Sequence, residues 1–253
     1  MKARTILITG AGSGIGAGLA GLMAQGGHEV IVTDLDAAAA ARVAADITQH
    51  GGRARGLGLD ITSEAQLSAL AGELGTVEVL VNNAGIQHVA RLEEFPADKW
   101  RLLVAIMLTG AADMIRATLP GMRRRGYGRI INIGSIHALV ASPFKSAYIA
   151  AKHGLIGLAK TVALENGDVD ITINTICPAY VRTPLVEKQI TAQAREHGIS
   201  EERVVKEIML KPMPKGAFVT IEEIHALAEY LMSDAARNLT AQAIALDGGW
   251  TAQ

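Results

Sequence analysis

One pair of residues in this sequence has the types and the spacing for acid–base chemistry. Of four tyrosines, only Tyr148 is followed four residues later by a lysine, Lys152. This spacing places both on one helix face, where an ammonium favours the phenolate. Lowering a phenol pKa from about 10 to about 7 requires roughly 4 kcal/mol, which a unit charge about 4 Å away supplies at an effective dielectric near 20. The pair predicts a general base for alcohol oxidation and a general acid for the reverse reaction. The alternative is packing and a surface charge on an amphipathic helix.

A glycine-rich segment near the amino terminus suits a dinucleotide. Residues 9–16 read TGAGSGIG between a predicted strand and a predicted helix. Glycines permit a tight turn and close backbone approach to a pyrophosphate, whose charge a helix N-terminus stabilises. Asp34 ends the next predicted strand, where a carboxylate accepts hydrogen bonds from the adenosine ribose and repels a 2′-phosphate. No Lys or Arg occurs from Thr5 to Thr33. The sequence therefore predicts NAD rather than NADP, against the alternative of a turn-forming loop beside a solvated Asp34.

The elements that must position these residues alternate regularly. Short β-branched runs alternate with Ala- and Leu-rich stretches, which is typical of a parallel sheet with helices on both faces. No linker interrupts the pattern, so we expect one α/β domain over residues 1–253, a doubly wound Rossmann-type sheet of about seven strands. The predicted strands are 5–9, 29–34, 53–59, 77–81, 129–133, 171–176 and 242–246, and the predicted helices lie near 16–26, 37–50, 63–74, 98–124, 146–165 and 222–233.

Composition and charge exclude several other classes of protein. The formal net charge of -1 argues against a nucleic-acid binder. A single cysteine, Cys177, excludes an internal disulfide and suits a reducing cytoplasm. The seven histidines show no paired ligand spacing, so we expect no metal. We see no secretory segment and no apolar run of about 20 residues, and therefore expect a cytoplasmic protein with no membrane partner.

One irregular stretch, residues 183–216, interrupts the alternation after the sixth predicted strand. It contains three prolines and polar helical segments, and the pair His197-Gly198 is typical of a helix end. Sheets of this kind bind ligands at the carboxyl ends of their strands. We therefore interpret the stretch as a helical substrate lid, with a surface insertion as the alternative.

These motifs together resemble the classical short-chain dehydrogenase/reductase family. The resemblance is carried by the TGxxxGxG loop, by Asn-Asn-Ala-Gly at 82–85 and by Asp-Gly-Gly-Trp at 247–250, so it extends over nearly the whole chain. It implies that Ser135 holds the substrate oxygen beside Tyr148 and Lys152. It implies further that Asp60 approaches the adenine, that Asn83 supports the central strands and that Thr183 holds the nicotinamide amide. The implied cofactor-binding set is Gly10, Ser13, Gly14, Ile15, Gly16, Asp34, Asp60, Asn83, Ala84, Gly85, Tyr148, Lys152, Pro178 and Thr183.

An excess of positive charge favours an anionic substrate. The segment from Met114 to Leu164 contains eight Lys and Arg but no Asp or Glu. Arg123, Arg124 and Arg125 end a predicted helix, where cations suit the helix dipole. His137, Lys145 and Lys152 bracket Tyr148 instead, and a positive pocket beside the reacting oxygen attracts an acid.

Four local segments, 84–89, 135–137, 145–148 and 181–190, resemble the branch of this family that acts on (R)-3-hydroxybutyrate. The resemblance implies that NAD-linked hydride transfer interconverts this acid and acetoacetate. The apolar helices 98–124 and 146–165 need a second burial partner. The resemblance implies that this partner is another subunit of a homotetramer. It also places Trp250 near a further subunit contact. One ammonium, one imidazole and two amides suit both carboxylate oxygens. The implied substrate-binding set is Gln87, Ser135, His137, Lys145, Tyr148, Tyr180 and Gln189.

Two departures from the family pattern affect the expected function. Met107 replaces an asparagine that relays the proton from the lysine, and a thioether is a weak hydrogen-bond acceptor. We therefore expect slower proton delivery with intact hydride-transfer geometry. The alternative is an NAD-binding sensor or scaffold with impaired chemistry. Tyr180 replaces a tryptophan, which leaves a longer or more polar hydroxy acid as an alternative substrate.

Overall fold

The computed structural model describes residues 2–252 and contains one sheet of seven parallel strands. The strands lie in the order β3-β2-β1-β4-β5-β6-β7. The predicted doubly wound sheet with helices on both faces is therefore confirmed. The strands are β1 (Thr5–Ile8), β2 (Glu29–Asp34), β3 (Arg53–Gly58), β4 (Val79–Asn82), β5 (Tyr127–Ile133), β6 (Asp170–Pro178) and β7 (Ala243–Leu246).

Two hydrophobic cores cover the faces of this sheet. Alternate side chains of a strand point to opposite faces. Ile6 and Ile8 of β1 belong to one core, and Leu7 between them belongs to the other. Every residue of β4 and β5 is consequently buried, as expected for a parallel sheet covered on both faces.

Ten α-helices accompany the strands within residues 2–252. Their bounds are α1 (Gly14–Gln25), α2 (Ala37–Gln49), α3 (Glu64–Ala69), α4 (Ala71–Leu74), α5 (Ala97–Val104), α6 (Gly110–Arg125), α7 (Ser146–Glu165), α8 (Pro184–His197), α9 (Glu201–Arg203) and α10 (Ile221–Met232). The predicted helix 63–74 is divided at Leu70 into α3 and α4.

A π-helical turn, Ala105–Thr109, separates α5 from α6 within the predicted helix 98–124. The amide of Gly110 donates to the carbonyl of Ala105, five residues earlier, where an α-helix would use the carbonyl four residues earlier. A single widened turn leaves the hydrophobic pattern almost unchanged, so periodicity could not reveal it.

The combined helix Ala97–Arg125 is long and apolar enough to cross a membrane by length and composition alone. No apolar run of this length was expected from the sequence. Leu103, Met107, Met114 and Met122 are buried in the protein's own core clusters. Packing against the rest of the fold therefore accounts for part of the apolar composition of this helix.

The order of the strands reverses next to β1, whose neighbours are β2 on one side and β4 on the other. The loops that follow β1 and β4 diverge at such a point, and a crevice forms at the carboxyl ends of the strands. The stretch after β6 contributes α8, α9 and a second π-helical turn, Val204–Met209. α8 ends at His197 and Gly198 is left-handed, as predicted.

Candidate active site

Two adjoining pockets occupy the crevice at the carboxyl edge of the sheet. The larger has about 1230 Å³ of empty space, open solvent included, and most of the predicted cofactor set lines it. All seven predicted substrate-binding residues line the smaller pocket. Tyr148 and Thr183 line both, so a ligand in one pocket can meet a ligand in the other beside the phenol. Two members of the cofactor set lie elsewhere: Pro178 lines the smaller pocket, and Gly16 is buried behind the loop.

The loop after β1 can pack closely against Ala84 and Asp34 because two of its residues, Gly10 and Gly12, have no side chain. Gly10 has φ +62, and a Cβ there would lie 2.8 Å from Cα of Ala84. A Cβ on Gly12 would lie 2.8 Å from Oδ2 of Asp34. Any other residue at either position would displace its neighbours. Gly12 was not singled out from the sequence, although it belongs to the same motif.

Asp34 presents an anchored carboxylate to the larger pocket. Oδ2 accepts a hydrogen bond from the Gly12 amide at 2.9 Å and Oδ1 accepts one from the Asp36 amide at 3.0 Å. Each carboxylate oxygen accepts more than one hydrogen bond, so acceptor capacity remains for ribose hydroxyls. Lys152 is the only cation among the described residues that line this pocket. These contacts fit an NAD ribose and offer no partner to a 2′-phosphate.

Thr9 and Asn83 hold the loops after β1 and β4 together. The Thr9 hydroxyl oxygen accepts from the amides of Asn83 at 3.0 Å and Ala84 at 3.1 Å. The Asn83 side-chain amide donates to the carbonyls of Thr9 at 2.9 Å and Gly10 at 3.0 Å. Thr9 was not predicted as a site residue. Its position before the first glycine of the motif was the available signal.

Asp60 lines the same pocket but shares its carboxylate with its own turn. Oδ1 accepts from the Thr62 amide at 2.9 Å and from the Thr62 hydroxyl at 2.7 Å. Ser13, Gly14 and Ile15 line the pocket at the start of α1, and the N-terminus of a helix is a favourable place for an anion. Among residues 2–252, no group of three or more His, Cys, Asp or Glu side chains is arranged to hold a metal ion.

The pKa of Tyr148 beside Ser135 and Lys152 differs from the value expected from the sequence. Burial raises the pKa of Tyr148 above its ordinary value, and a hydrogen bond with Ser135 partly opposes this. Burial therefore outweighs the expected lowering of the Tyr148 pKa by Lys152. Nζ of Lys152 donates to the carbonyl of Ile133 at 2.6 Å and lies 5.7 Å from the centre of the Tyr148 ring. Burial lowers the pKa of Lys152 to about 8.

Lys145 and His137 form the polar end of the smaller pocket. Nζ of Lys145 lies 3.4 Å from Nε2 of His137. Burial, followed by the Lys145 ammonium, lowers the pKa of His137 to about 4. The imidazole is therefore neutral near pH 7 and Lys145 carries the positive charge. Oε1 of Gln87 accepts from the His88 amide at 3.0 Å, which leaves the Gln87 amino group for a ligand.

An aromatic wall closes the smaller pocket. The Tyr180 and Trp250 rings lie 6.0 Å apart, and the Trp250 and His137 rings lie 5.9 Å apart at an angle of 80°. Trp250 therefore supports two pocket residues of its own chain, a role the sequence analysis did not predict. Thr183 caps α8, since its hydroxyl oxygen accepts from the Val186 amide at 3.4 Å.

Met107 lies on the π-helical turn and is 2 % exposed. Its neighbours are apolar and include Phe95, Leu103 and Ala147. The gap between Met107 and Lys152 does not admit a water molecule. On this side Met107 therefore offers Lys152 only a thioether, which is a weak hydrogen-bond acceptor.

The excess of positive charge predicted between Met114 and Leu164 is only partly at the site. Arg116 pairs with Asp113 at 3.1 Å, Arg123 with Asp168 at 2.8 Å and Arg129 with Asp170 at 2.9 Å. Carboxylates outside or at the edge of the segment neutralise these arginines. Lys145 and Lys152 remain as the cations that line the crevice.

Known proteins are similar to this chain in sequence and in fold. A family model described as short chain dehydrogenase matches residues 4–194. The chain is 45% identical over 258 residues to the D-beta-hydroxybutyrate dehydrogenase of Rhizobium meliloti (strain 1021), covering 99% of each chain. It is 44% identical over 257 residues to the D-beta-hydroxybutyrate dehydrogenase of Cupriavidus necator, covering 100% of each. A crystal structure of sorbitol-6-phosphate 2-dehydrogenase from Erwinia amylovora matches with a TM-score of 0.91 and 30% identity, covering 97% of this chain and 99% of that one.

Proposed function

We propose that this chain interconverts (R)-3-hydroxybutyrate and acetoacetate with NAD. The chain belongs to the short-chain dehydrogenase/reductase family and is a CH–OH dehydrogenase with a nicotinamide cofactor. The single observation that carries the proposal is the convergence of Gln87, His137, Lys145 and Gln189 on one pocket beside Tyr148. A small acid with a hydroxyl group two carbons from its carboxyl carbon fits a cation at one end and a phenol at the other.

Each group of the chain has a defined part in this reaction. Lys145 attracts the carboxylate, and the glutamine amides donate hydrogen bonds to its oxygens. Ser135 and Tyr148 contact the hydroxyl oxygen, and Tyr148 accepts its proton during oxidation. Lys152 places a positive charge beside the phenol and stabilises the phenolate when it forms. NAD, when bound, would supply the hydride acceptor. Asp34 and the backbone of the glycine loop would hold its ribose and pyrophosphate.

The direct test is the absorbance of NADH formed from (R)-3-hydroxybutyrate at saturating NAD. We expect turnover with this enantiomer, little with the S enantiomer and little with NADP. A panel that adds five-carbon and hydroxylated acids tests the alternative substrate that Tyr180 suggests. A higher kcat/KM for one of those acids would replace hydroxybutyrate in the proposal, and no turnover with any acid would favour the NAD sensor or scaffold.

Met107 slows proton release in this proposal because it blocks a hydrated route to Lys152. We expect Met107→Asn to raise kcat for oxidation about threefold to tenfold, since the smaller amide makes room for water and offers an acceptor. The matched control is Met107→Leu, which keeps an apolar side chain of similar size and should leave kcat unchanged. Steady-state rates at saturating substrates give kcat for the wild type and both variants. An unchanged kcat in Met107→Asn would show that the proton leaves by another route.

The pH dependence of substrate binding is expected to report Lys145 and not His137. With its pKa at about 4, His137 does not titrate near neutrality. Burial lowers the pKa of Lys145 from 10.5, so the ammonium is lost at a lower pH than in free lysine. The KM for hydroxybutyrate should therefore be flat through about pH 6.5 and rise as pH increases further. Initial rates at several substrate concentrations and pH values measure this KM. A step near pH 6.5 would assign carboxylate binding to a protonated histidine.

The remaining assignments concern assembly, the lid and location. We propose a homotetramer because Leu102 and Leu164 on the long helices are 42% and 85% exposed, and an apolar helix face needs a partner. Residues 183–216 serve as the lid, since Leu185, Val186 and Gln189 of α8 line the substrate pocket. A cytoplasmic location, without nucleic-acid or membrane partners, accords with the family and the charge. Light scattering on the purified protein measures the assembly.

A further inference from the structure

Phe144 has an unusual backbone conformation for its residue type. Its φ is +67, in the left-handed region that non-glycine residues seldom adopt and bulky residues least of all. Its side chain does not explain this, because it is 46% exposed. The guanidinium of Arg91 lies 5.4 Å from its ring centre, a contact between two exposed groups. Such conformations persist where other contacts fix them, and they gather at functional sites.

A hydrogen bond between two loops uses the direction that this conformation gives to the Phe144 carbonyl. The carbonyl oxygen accepts from the Ala90 amide at 2.9 Å. Ala90 is half-buried and packs on the cluster that contains Phe95 and Ala147. An amide in that position needs an acceptor from the protein, because removing it from water without one is costly.

The two loops joined by this bond carry the proposed carboxylate ligands. Gln87 is three residues before Ala90, and Lys145 directly follows Phe144. The backbone carbonyl of Lys145 accepts from the Ile149 amide at 2.9 Å and begins α7. The Lys145 side chain makes no capping hydrogen bond at the start of α7 and instead reaches His137. The bond between Phe144 and Ala90 therefore joins the backbone next to Lys145 to the loop that carries Gln87.

We propose that Phe144 is a positioning residue, whose left-handed backbone and bond to Ala90 hold Lys145 and Gln87 at the separation that a small carboxylate requires. The inference rests on the proposed function for the identity of that carboxylate. It does not depend on the Phe144 ring, so any residue that tolerates the left-handed region should serve.

The test compares two substitutions at Phe144. Phe144→Asn keeps the conformation accessible, whereas Phe144→Val opposes it through its β-branch. We expect Phe144→Val to raise the KM for (R)-3-hydroxybutyrate about tenfold, with kcat and the KM for NAD within about twofold. Phe144→Asn should match the wild type. Leu139→Val places the same side chain in the same loop and should change none of these values.

A double variant shows whether the effect passes through Lys145. In the Lys145→Ala background, Phe144→Val should change KM less than twofold, because the group it positions is gone. A full tenfold effect in that background would overturn the proposal. So would equal KM values for Phe144→Val and the wild type, or equal losses in the Val and Asn variants, which would assign the effect to the ring.

Amide hydrogen exchange separates this proposal from the proposed function. Exchange at Ala90 should be faster in Phe144→Val than in the wild type and Phe144→Asn. If the wild type does not oxidise hydroxybutyrate, the proposed function fails. The exchange rate of the Ala90 amide then tests the hydrogen bond between Ala90 and Phe144 by itself. Equal exchange in all three proteins would overturn the positioning role. Should Phe144→Val not fold, Phe144→Ala is the second variant, with smaller changes in the same direction.

Discussion

Replacing Tyr148 by phenylalanine is expected to lower kcat about 10³-fold while NADH binding stays within about twofold. The variant loses the hydroxyl group that exchanges the substrate proton and contacts the substrate oxygen. It keeps the ring that fills the space between the two pockets. Loss of a transition-state contact lowers kcat and kcat/KM together, so both constants should fall. Stopped-flow detection of NADH at high enzyme concentration can measure the residual rate.

The matched control for this variant is Tyr230→Phe. Tyr230 is 50% exposed on α10, and its substitution removes the same atom far from the reacting groups. Turnover should be unchanged. A Tyr148→Phe protein with more than about a tenth of the wild-type kcat would contradict the assignment of Tyr148 as acid and base. Fluorescence titration with NADH excludes loss of cofactor binding as the cause.

Replacing Asp34 by asparagine is expected to shift the preference for NAD over NADP by about 100-fold in kcat/KM. Asparagine retains an acceptor for the Gly12 amide, so the loop should keep its shape. It loses the negative charge, which weakens the bonds to the ribose hydroxyls and removes repulsion of a 2′-phosphate. A 100-fold shift corresponds to about 2.7 kcal/mol. Parallel assays with the two cofactors at low concentration measure the ratio directly.

The matched control is Asp36→Asn, two residues along. Asp36 caps α2 by accepting from the amides of Ala38 and Ala39, and asparagine is an equally good cap. This variant removes the same charge beside the pocket and preserves the helix. Its cofactor preference should stay within about threefold of the wild type. Equal shifts in both variants would mean that the general field of the loop, and not the Asp34 carboxylate, selects NAD.

The sequence by itself determined the architecture because two periodicities are local properties of the chain. Alternation of apolar strands and helices predicted a doubly wound parallel sheet of about seven strands, which the structure shows. The spacing of Tyr148 and Lys152 put both on one helix, as the structure shows. The glycine motif follows β1 and Asp34 ends β2. Because these two strands are parallel neighbours, the motif and Asp34 lie together at the carboxyl edge of the sheet.

Only the tertiary structure decided the electrostatics and the fine geometry. The pKa of Tyr148 depends on burial by groups far apart in the chain, and the Ile133 carbonyl that holds Lys152 comes from another strand. The π-helical turn around Met107 adds one residue to one turn, too little to disturb a hydrophobic pattern. The left-handed backbone of Phe144 follows from a bond to a loop more than fifty residues away. Desolvation and backbone direction arise from contacts between distant segments, which no local pattern of residues records.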